Sequence, residues 1–363
     1  MKPMLFSLIH WYHFFYLFFI VFSAWRCGRG WILGRRGWVT LSLAALLLFA
    51  AIAALPVMFP IPWLTGALVL GFALYVVEWP LSLIFPRRRR AFNGAVLLLL
   101  PALVAFGIWN GTVRLPVVRE VSVPWPGLPP AMQNFIIVQV SDLHAGPRTS
   151  LAWLAGVVER INGLQPDLIA FTGDTISGNI TDGRLELFQK LHARHGIFLV
   201  VGNHEKDPES GRHYLPLLTT LPDVHLLRDT VVTIPPGLQL AGIWDEEELI
   251  FENRPELWRK HLLRLHSRFD PDLPLVLLSH RPSPFLPAVQ AGVDLQLSGH
   301  LHAGQLPPVN LALWLLLPYL HGSYRSGNAT LVVSAGAGVW EYLPLRLGTR
   351  GEIVRLRLER QVR

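Results

Sequence analysis

Residues 135–144 read Phe135-Ile136-Ile137-Val138-Gln139-Val140-Ser141-Asp142-Leu143-His144. Six residues dominated by Phe, Ile and Val suit a strand buried on both faces, and the run stops at a cluster of polar groups. The arrangement recurs downstream. Leu168-Ile169-Ala170-Phe171 leads into Thr172-Gly173-Asp174, and Ile197 to Val201 into Gly202-Asn203-His204-Glu205. Leu275 to Leu278 leads into Ser279-His280-Arg281, and Leu295-Gln296-Leu297 into Gly299-His300-Leu301-His302. Helix-like spacing from Leu151 to Gly163 separates the first two runs. Short apolar strands alternating with helical segments predict an α/β domain, and in such a sheet the polar strand ends gather on one edge.

A lone Asp or His at a strand end is ordinarily a cap or turn residue. Five strand ends in one chain, carrying Asp142, His144, Asp174, Asn203, His204, His280, His300 and His302, read instead as a metal site. In this order D-x-H, G-D, G-N-H-[DE], H and G-H-x-H resemble the calcineurin-like metallophosphoesterase superfamily, over roughly residues 134–357. The resemblance implies a β-sandwich flanked by helices and a catalytic site with two divalent ions. It makes Asp142, His144 and His302 ligands of one ion, Asn203, His280 and His300 ligands of the other, and Asp174 the bridge. His204 matches the motif histidine that contacts the phosphate and assists the leaving group. A hydroxide bridging the ions would be the nucleophile, so no Ser or Cys nucleophile is required. Mixed carboxylate, imidazole and amide donors suit Mn²⁺, Fe or Zn²⁺ better than Mg²⁺ or Ca²⁺. Ala303-Gly304-Gln305, Gly322-Ser323-Tyr324 and Gly351-Glu352 further resemble a membrane-anchored subgroup, with Ala303 and Gly351 departing from its usual glycine and proline.

The first third of the chain has a different composition. Hydrophobic residues make up 51% of the sequence. Of the 32 Lys/Arg and 25 Asp/Glu, nine basic and one acidic residue fall in residues 1–110. Apolar stretches at 5–25, 38–59, 63–85 and 92–109 each approach the roughly 20 residues that cross a bilayer, which predicts four transmembrane helices over residues 1–112. Arg26, Arg29, Arg35 and Arg36, and then Arg87 to Arg90, form two basic loops that would face the cytoplasm. That orientation predicts a multi-pass inner or plasma membrane protein whose catalytic domain, 134–363, is extracytoplasmic, periplasmic or extracellular. Residues 113–133, rich in Pro and Val, read as an extended linker. The basic excess sits between apolar stretches, so membrane lipid is the expected partner and nucleic acid is not. The single cysteine, Cys27, excludes an intramolecular disulfide.

Glu78 reads as an interfacial or helix-packing residue, with a proton relay as the sharper alternative. His192, His195, His213, His225, His261 and His266 read as structural. Arg281 could form a surface ion pair or meet a substrate phosphate as a fork-shaped donor. The run from Val309 to Leu320 is too short to span a membrane, and reads either as core or as an apolar lip beside the site. Together these features predict a membrane-bound phosphohydrolase acting on a phosphate mono- or diester, with a phosphorylated or nucleotide-linked envelope lipid as substrate. The rival is a non-catalytic membrane module that binds phospholipid or a partner, which the complete ligand set disfavours.

Overall fold

The computed structural model describes residues 81, 84–206, 211–245, 255–340 and 343–361. The chain divides into two compact units, Met1–Ala105 and Phe106–Arg363. Helix α1 (Arg89–Ile108) runs from one into the other. The second unit contains, in chain order, β1 (Val117–Pro126), β2 (Ile136–Val140), α2 (Leu151–Gly163), β3 (Leu168–Thr172), α3 (Arg184–Phe188), β4 (Ile197–Val200) and α4 (Gly211–Leu218). Then follow β5 (Val224–Leu226), β6 (Thr230–Ile234), β7 (Leu238–Gly242), α5 (Pro255–His266), β8 (Leu275–Leu278), α6 (Phe285–Gln290) and β9 (Leu295–Ser298). The series ends with α7 (Val309–Leu316), β10 (Gly322–Ser326), β11 (Ala329–Val333) and β12 (Glu352–Gln361).

The strands form two six-stranded sheets, in the orders β1-β12-β2-β3-β4-β5 and β10-β11-β9-β8-β7-β6. Strands β2 to β5 are mutually parallel, as are β7, β8, β9 and β11. Every residue of β2, β3, β4, β7, β8, β9 and β11 is buried, as parallel strands covered on both faces require. The inner faces meet through Ile137, Leu168 and Phe198 on one side and Leu240, Val276 and Leu297 on the other. Trp153, Leu154, Val157 and Ile161 of α2 cover the outer face of the first sheet. Trp258, Leu262 and Leu265 of α5 cover the second. This layering sets the carboxyl ends of β2, β3 and β4 beside those of β8 and β9. Gln139, polar yet buried between the sheets, fixes the approach by donating to Thr172 Oγ1 at 3.1 Å and to the Ser298 carbonyl at 2.8 Å.

Three expectations need revision. The stretch read as a linker is extended, but ten of its residues form β1 and pair in parallel with β12. The four transmembrane helices are corrected too: among the described residues no helix is long and apolar enough to cross a membrane. The stretch expected to be the fourth crossing lies in α1, a 20-residue helix that opens with Arg89-Arg90 and carries Pro101 inside. Its end is built into the second unit. Arg346 N–H donates to the Gly107 carbonyl at 3.0 Å, and buried Asn110 donates to the carbonyls of Arg346 and Thr349, both at 3.0 Å. Hydropathy records how apolar a stretch is and not what it packs against. The extracytoplasmic placement was derived from four crossings and falls with them. The first two stretches, all of the third but Leu81, Ile84 and Phe85, and also Cys27 and Glu78, lie outside the described residues.

Candidate metal centre

The eight residues singled out in the sequence converge where the two sheets' carboxyl ends meet. Asp142 and His144 follow β2, Asp174 follows β3, Asn203 and His204 follow β4, His280 follows β8, and His300 and His302 follow β9. Five of them adopt left-handed backbone: Asp142 (φ 50°), His144 (φ 48°), Asp174 (φ 50°), His300 (φ 77°) and His302 (φ 47°). Such strain in non-glycine residues concentrates where surrounding structure enforces it, characteristically at functional sites. The chain leaves room by placing glycine beside the carboxylates. A Cβ at Gly202 would overlap Asp174 Oδ1, and one at Gly299 would overlap Ser141 Oγ and Asp142 Oδ2.

The donor atoms form linked groups. Asp142, His144 and His302 offer atoms within 4.8 Å of one another; so do Asp174, His280 and His300, and so do His144, Asp174 and His204. In the first group His144 Nε2 and His302 Nε2 are 3.1 Å apart, and His302 Nε2 is 3.5 Å from Asp142 Oδ1. In the second, His280 Nε2 lies 3.1 Å from His300 Nδ1 and 3.2 Å from Asn203 Oδ1. Asp174 joins them, with its Oδ2 3.8 Å from His144 Nε2 and 3.3 Å from His280 Nε2. The His204 ring meets His144 edge-on at 4.7 Å, and its backbone N–H donates to Asp174 Oδ1 at 2.9 Å. The far side of each ring is also held. His144 Nδ1 lies 2.8 Å from Ser177 Oγ, and His280 Nδ1 lies 2.9 Å from the Thr172 carbonyl, which turns both Nε2 atoms inward.

The electrostatics are those of a crowded, buried polar cluster. Burial, opposed by His280 and reinforced by Asp174, pushes the Asp142 carboxyl up to about 6. Burial would also raise Asp174, but the nearby His280 and His204 outweigh it and hold that carboxyl well below its usual range. Burial alone would lower His280, yet the adjacent, hydrogen-bonded Asp174 carboxylate raises it to about 10. Burial, then the proximity of His204, depresses His144 to about 3. Burial likewise lowers His300 and His302, with His280 and His144 respectively adding to it.

Two neighbouring groups, Glu205 and Arg346, escaped the sequence reading, and a third, Arg281, stands differently from its expected surface ion pair or phosphate contact. Glu205, quoted only as the end of a motif, is buried and accepts four backbone N–H groups: Thr175 at 2.5 Å and Ile176 at 3.1 Å on Oε1, Asp174 at 3.0 Å and Gly202 at 2.8 Å on Oε2. It ties the loop carrying Asp174 to the loop carrying Asn203. Arg346, fully buried, donates to the carbonyls of Ala335 (2.7 Å) and Gly338 (2.6 Å) and lies 3.2 Å from His302 Nδ1. That loop in turn donates from Ala337 and Gly338 to the carbonyls of Ser141 and Asp142. Arg281 is neither on the surface nor free: it is buried, its Nε–H donates to both carboxylate oxygens of Asp245 at 3.1 and 2.9 Å, and its Nη1 lies 3.1 Å from His300 Nε2.

Comparison with known proteins agrees with this architecture. The profile of the calcineurin-like phosphoesterase family matches residues 135–304. A Bacillus subtilis metallophosphoesterase, YkuE, is 30% identical over 240 residues, which cover 62% of this chain and 79% of that protein. A Bos taurus transmembrane protein with metallophosphoesterase domain is 32% identical over 259 residues, covering 67% of this chain and 57% of its own. An uncharacterized metallophosphoesterase of Helicobacter pylori is 31% identical over 256 residues, covering 69% and 66%. The chain thus belongs to the calcineurin-like metallophosphoesterases, a family of metal-dependent phosphoesterases. It spans 57% of the bovine protein's length and 66% of the Helicobacter protein's.

Proposed function

We propose that the chain hydrolyses a phosphate mono- or diester with two divalent cations. One held by Asp142, His144 and His302, the other by Asn203, His280 and His300, with Asp174 shared, is the assignment the geometry supports best. The observation that carries it is the position of Asp174 Oδ2, which faces a histidine nitrogen of each group at 3.8 and 3.3 Å. The donor set fits such ions: paired imidazole nitrogens stand 3.1 Å apart in both groups, and their far sides are hydrogen-bonded so that lone pairs converge. Mixed oxygen and nitrogen donors favour Mn²⁺, Fe or Zn²⁺. Bound cations supply charge neutralisation at the phosphoryl oxygens and a water acidic enough to attack near neutral pH.

The residues themselves do the rest. Asp174, a carboxylate between the two donor groups, would offset the repulsion between two cations held there. His204, anchored through its backbone to Asp174, presents its ring beside His144, where it can hydrogen-bond a phosphoryl oxygen and deliver a proton to the departing alkoxide. Arg281, clamped by Asp245, holds His300 in place. The finer reading is a phosphorylated or nucleotide-linked lipid substrate, favoured by the apolar exposure of α7, which begins seven residues beyond His302. Release of nitrophenolate from bis-p-nitrophenyl phosphate and p-nitrophenyl phosphate by the purified chain, with and without Mn²⁺, tests the reaction. Metal-dependent turnover of either ester is expected. No turnover in protein shown to carry both ions, or turnover indifferent to chelation, would refute it.

A further inference from the structure

Two elements present apolar side chains to solvent on either side of one loop. On α7, Trp314, Leu315 and Leu316 are 67%, 69% and 71% exposed, whereas Leu313 is buried against Leu301 and Leu320. At the end of α1 and the turn beyond it, Phe106, Trp109 and Val113 are also exposed. The loop at 343–350 lies between them. Asn110 donates to its Arg346 and Thr349 carbonyls, and Thr349 Oγ1 donates to the Gln305 carbonyl just ahead of α7. Gly348 of the same loop approaches Asn310 in the first turn of α7.

Charge accompanies the apolar groups. Arg350, exposed on this loop, has Arg114 and Arg160 as its charged neighbours, and Arg114 lies over the Trp109 ring at 5.2 Å. Among the described residues none of these three arginines forms an ion pair. Three guanidinium groups with no carboxylate partner among the described residues, Arg160 donating only to the Pro116 carbonyl at 2.6 Å, stand with exposed Trp, Phe and Leu side chains and combine the two attractions of an interfacial protein surface: burial of apolar groups at the acyl boundary and attraction to anionic headgroups.

We infer that α7, the 106–113 segment and the Arg114, Arg160 and Arg350 cluster form a docking face for an anionic phospholipid surface. This deepens the phosphohydrolase reading, on which it rests for its purpose, by naming the surface from which the site draws its substrate. The chain immediately before α7 carries His300 and His302, and Gly304 packs closely against Asn310, so docking α7 brings the candidate centre to the lipid.

The test uses the full chain with Cys27→Ser and a single new cysteine, Leu315→Cys, carrying an environment-sensitive fluorophore. Vesicles containing phosphatidylglycerol should shift its emission to the blue and raise its intensity, while phosphatidylcholine vesicles should do so far less. Arg350→Glu, or the milder Arg350→Gln, should weaken the response to phosphatidylglycerol, and a fluorophore on Ser267→Cys should not respond. Asp174→Asn, expected to lose turnover, should leave the response intact, so docking and hydrolysis can fail separately. An absent response, an equal response to both vesicle types, or emission already blue-shifted without vesicles, as when another part of the chain or a protein covers the face, would overturn the inference.

Discussion

Glu205 shows how a single carboxylate can organise a site it need not enter. It gathers four backbone N–H groups from two ligand-bearing loops, and hydrogen bonds to a charged group contribute about 1.5–3 kcal/mol each. Glu205→Gln turns an amide NH₂ toward those donors; it should lower stability by about 2–4 kcal/mol and reduce metal content, measured by denaturant unfolding and elemental analysis. Unchanged values for both would remove Glu205 from this role. Glu352 makes a different, pH-dependent prediction. Burial would raise its carboxyl, but the His321 hydrogen bond, Arg119 and the Ala335 N–H hold it at about 2 against an ordinary value of 4.5. A depressed carboxylate contributes stability above pH 4.5 that is lost as pH falls toward 2, here at most about 3 kcal/mol. Glu352→Gln should flatten stability across that window in thermal unfolding at stepped pH; a variant with the parent's slope would contradict it. The candidate ligands were legible because each follows an apolar run, as Asp142 follows Ile137-Val138-Gln139-Val140. Glu205 and Arg346 were not, because most of their partners are backbone groups far along the chain, 29 to 31 positions away for three of the four on Glu205 and up to 44 for Arg346, which no local pattern records.

Helix α7 and the end of α1 show what periodicity reveals and what it withholds. The run from Val309 to Leu320 admitted both a core and a surface reading, since every position is apolar or nearly so. The fold divides it, burying Leu313 and exposing Trp314, Leu315 and Leu316. Leu313→Ala should therefore cost about 2–4 kcal/mol, whereas Leu315→Ser with Leu316→Ser should leave the melting temperature near the parent's. Equal destabilisation would mean that both faces are core. The buried strands were readable from short β-branched runs, and β1 was missed because Pro116, Pro124 and Pro126 resemble a linker. As an edge strand it tolerates them. The end of α1 misled for another reason: Gly107, Asn110 and Gly111 look like interruptions in an apolar span, yet they are the residues that pack on the 343–350 loop. Asn110→Ala strands the carbonyls of Arg346 and Thr349 and should cost about 1–3 kcal/mol in denaturant unfolding. A neutral effect would show that water replaces the amide freely.

Across the second unit, two parallel-stranded sheets converge at their carboxyl ends, so residues from Asp142 to His302 reach one point although 160 positions separate them in the chain. Sequence order alone could not supply that convergence; it follows from the parallel strands and from the packing of the two inner faces through Ile137, Phe198, Leu240 and Leu297. The coupling of the two donor groups depends on Asp174, whose Oδ2 faces both. Counting bound ions tests this most directly. Metal-stripped chain titrated with Mn²⁺, with content read by elemental analysis after gel filtration, should take up two ions per chain, while Asp174→Asn, folded by circular dichroism, should retain one or none. A parent that binds one ion, or an Asp174→Asn protein that holds two at full occupancy, would contradict the shared-carboxylate centre.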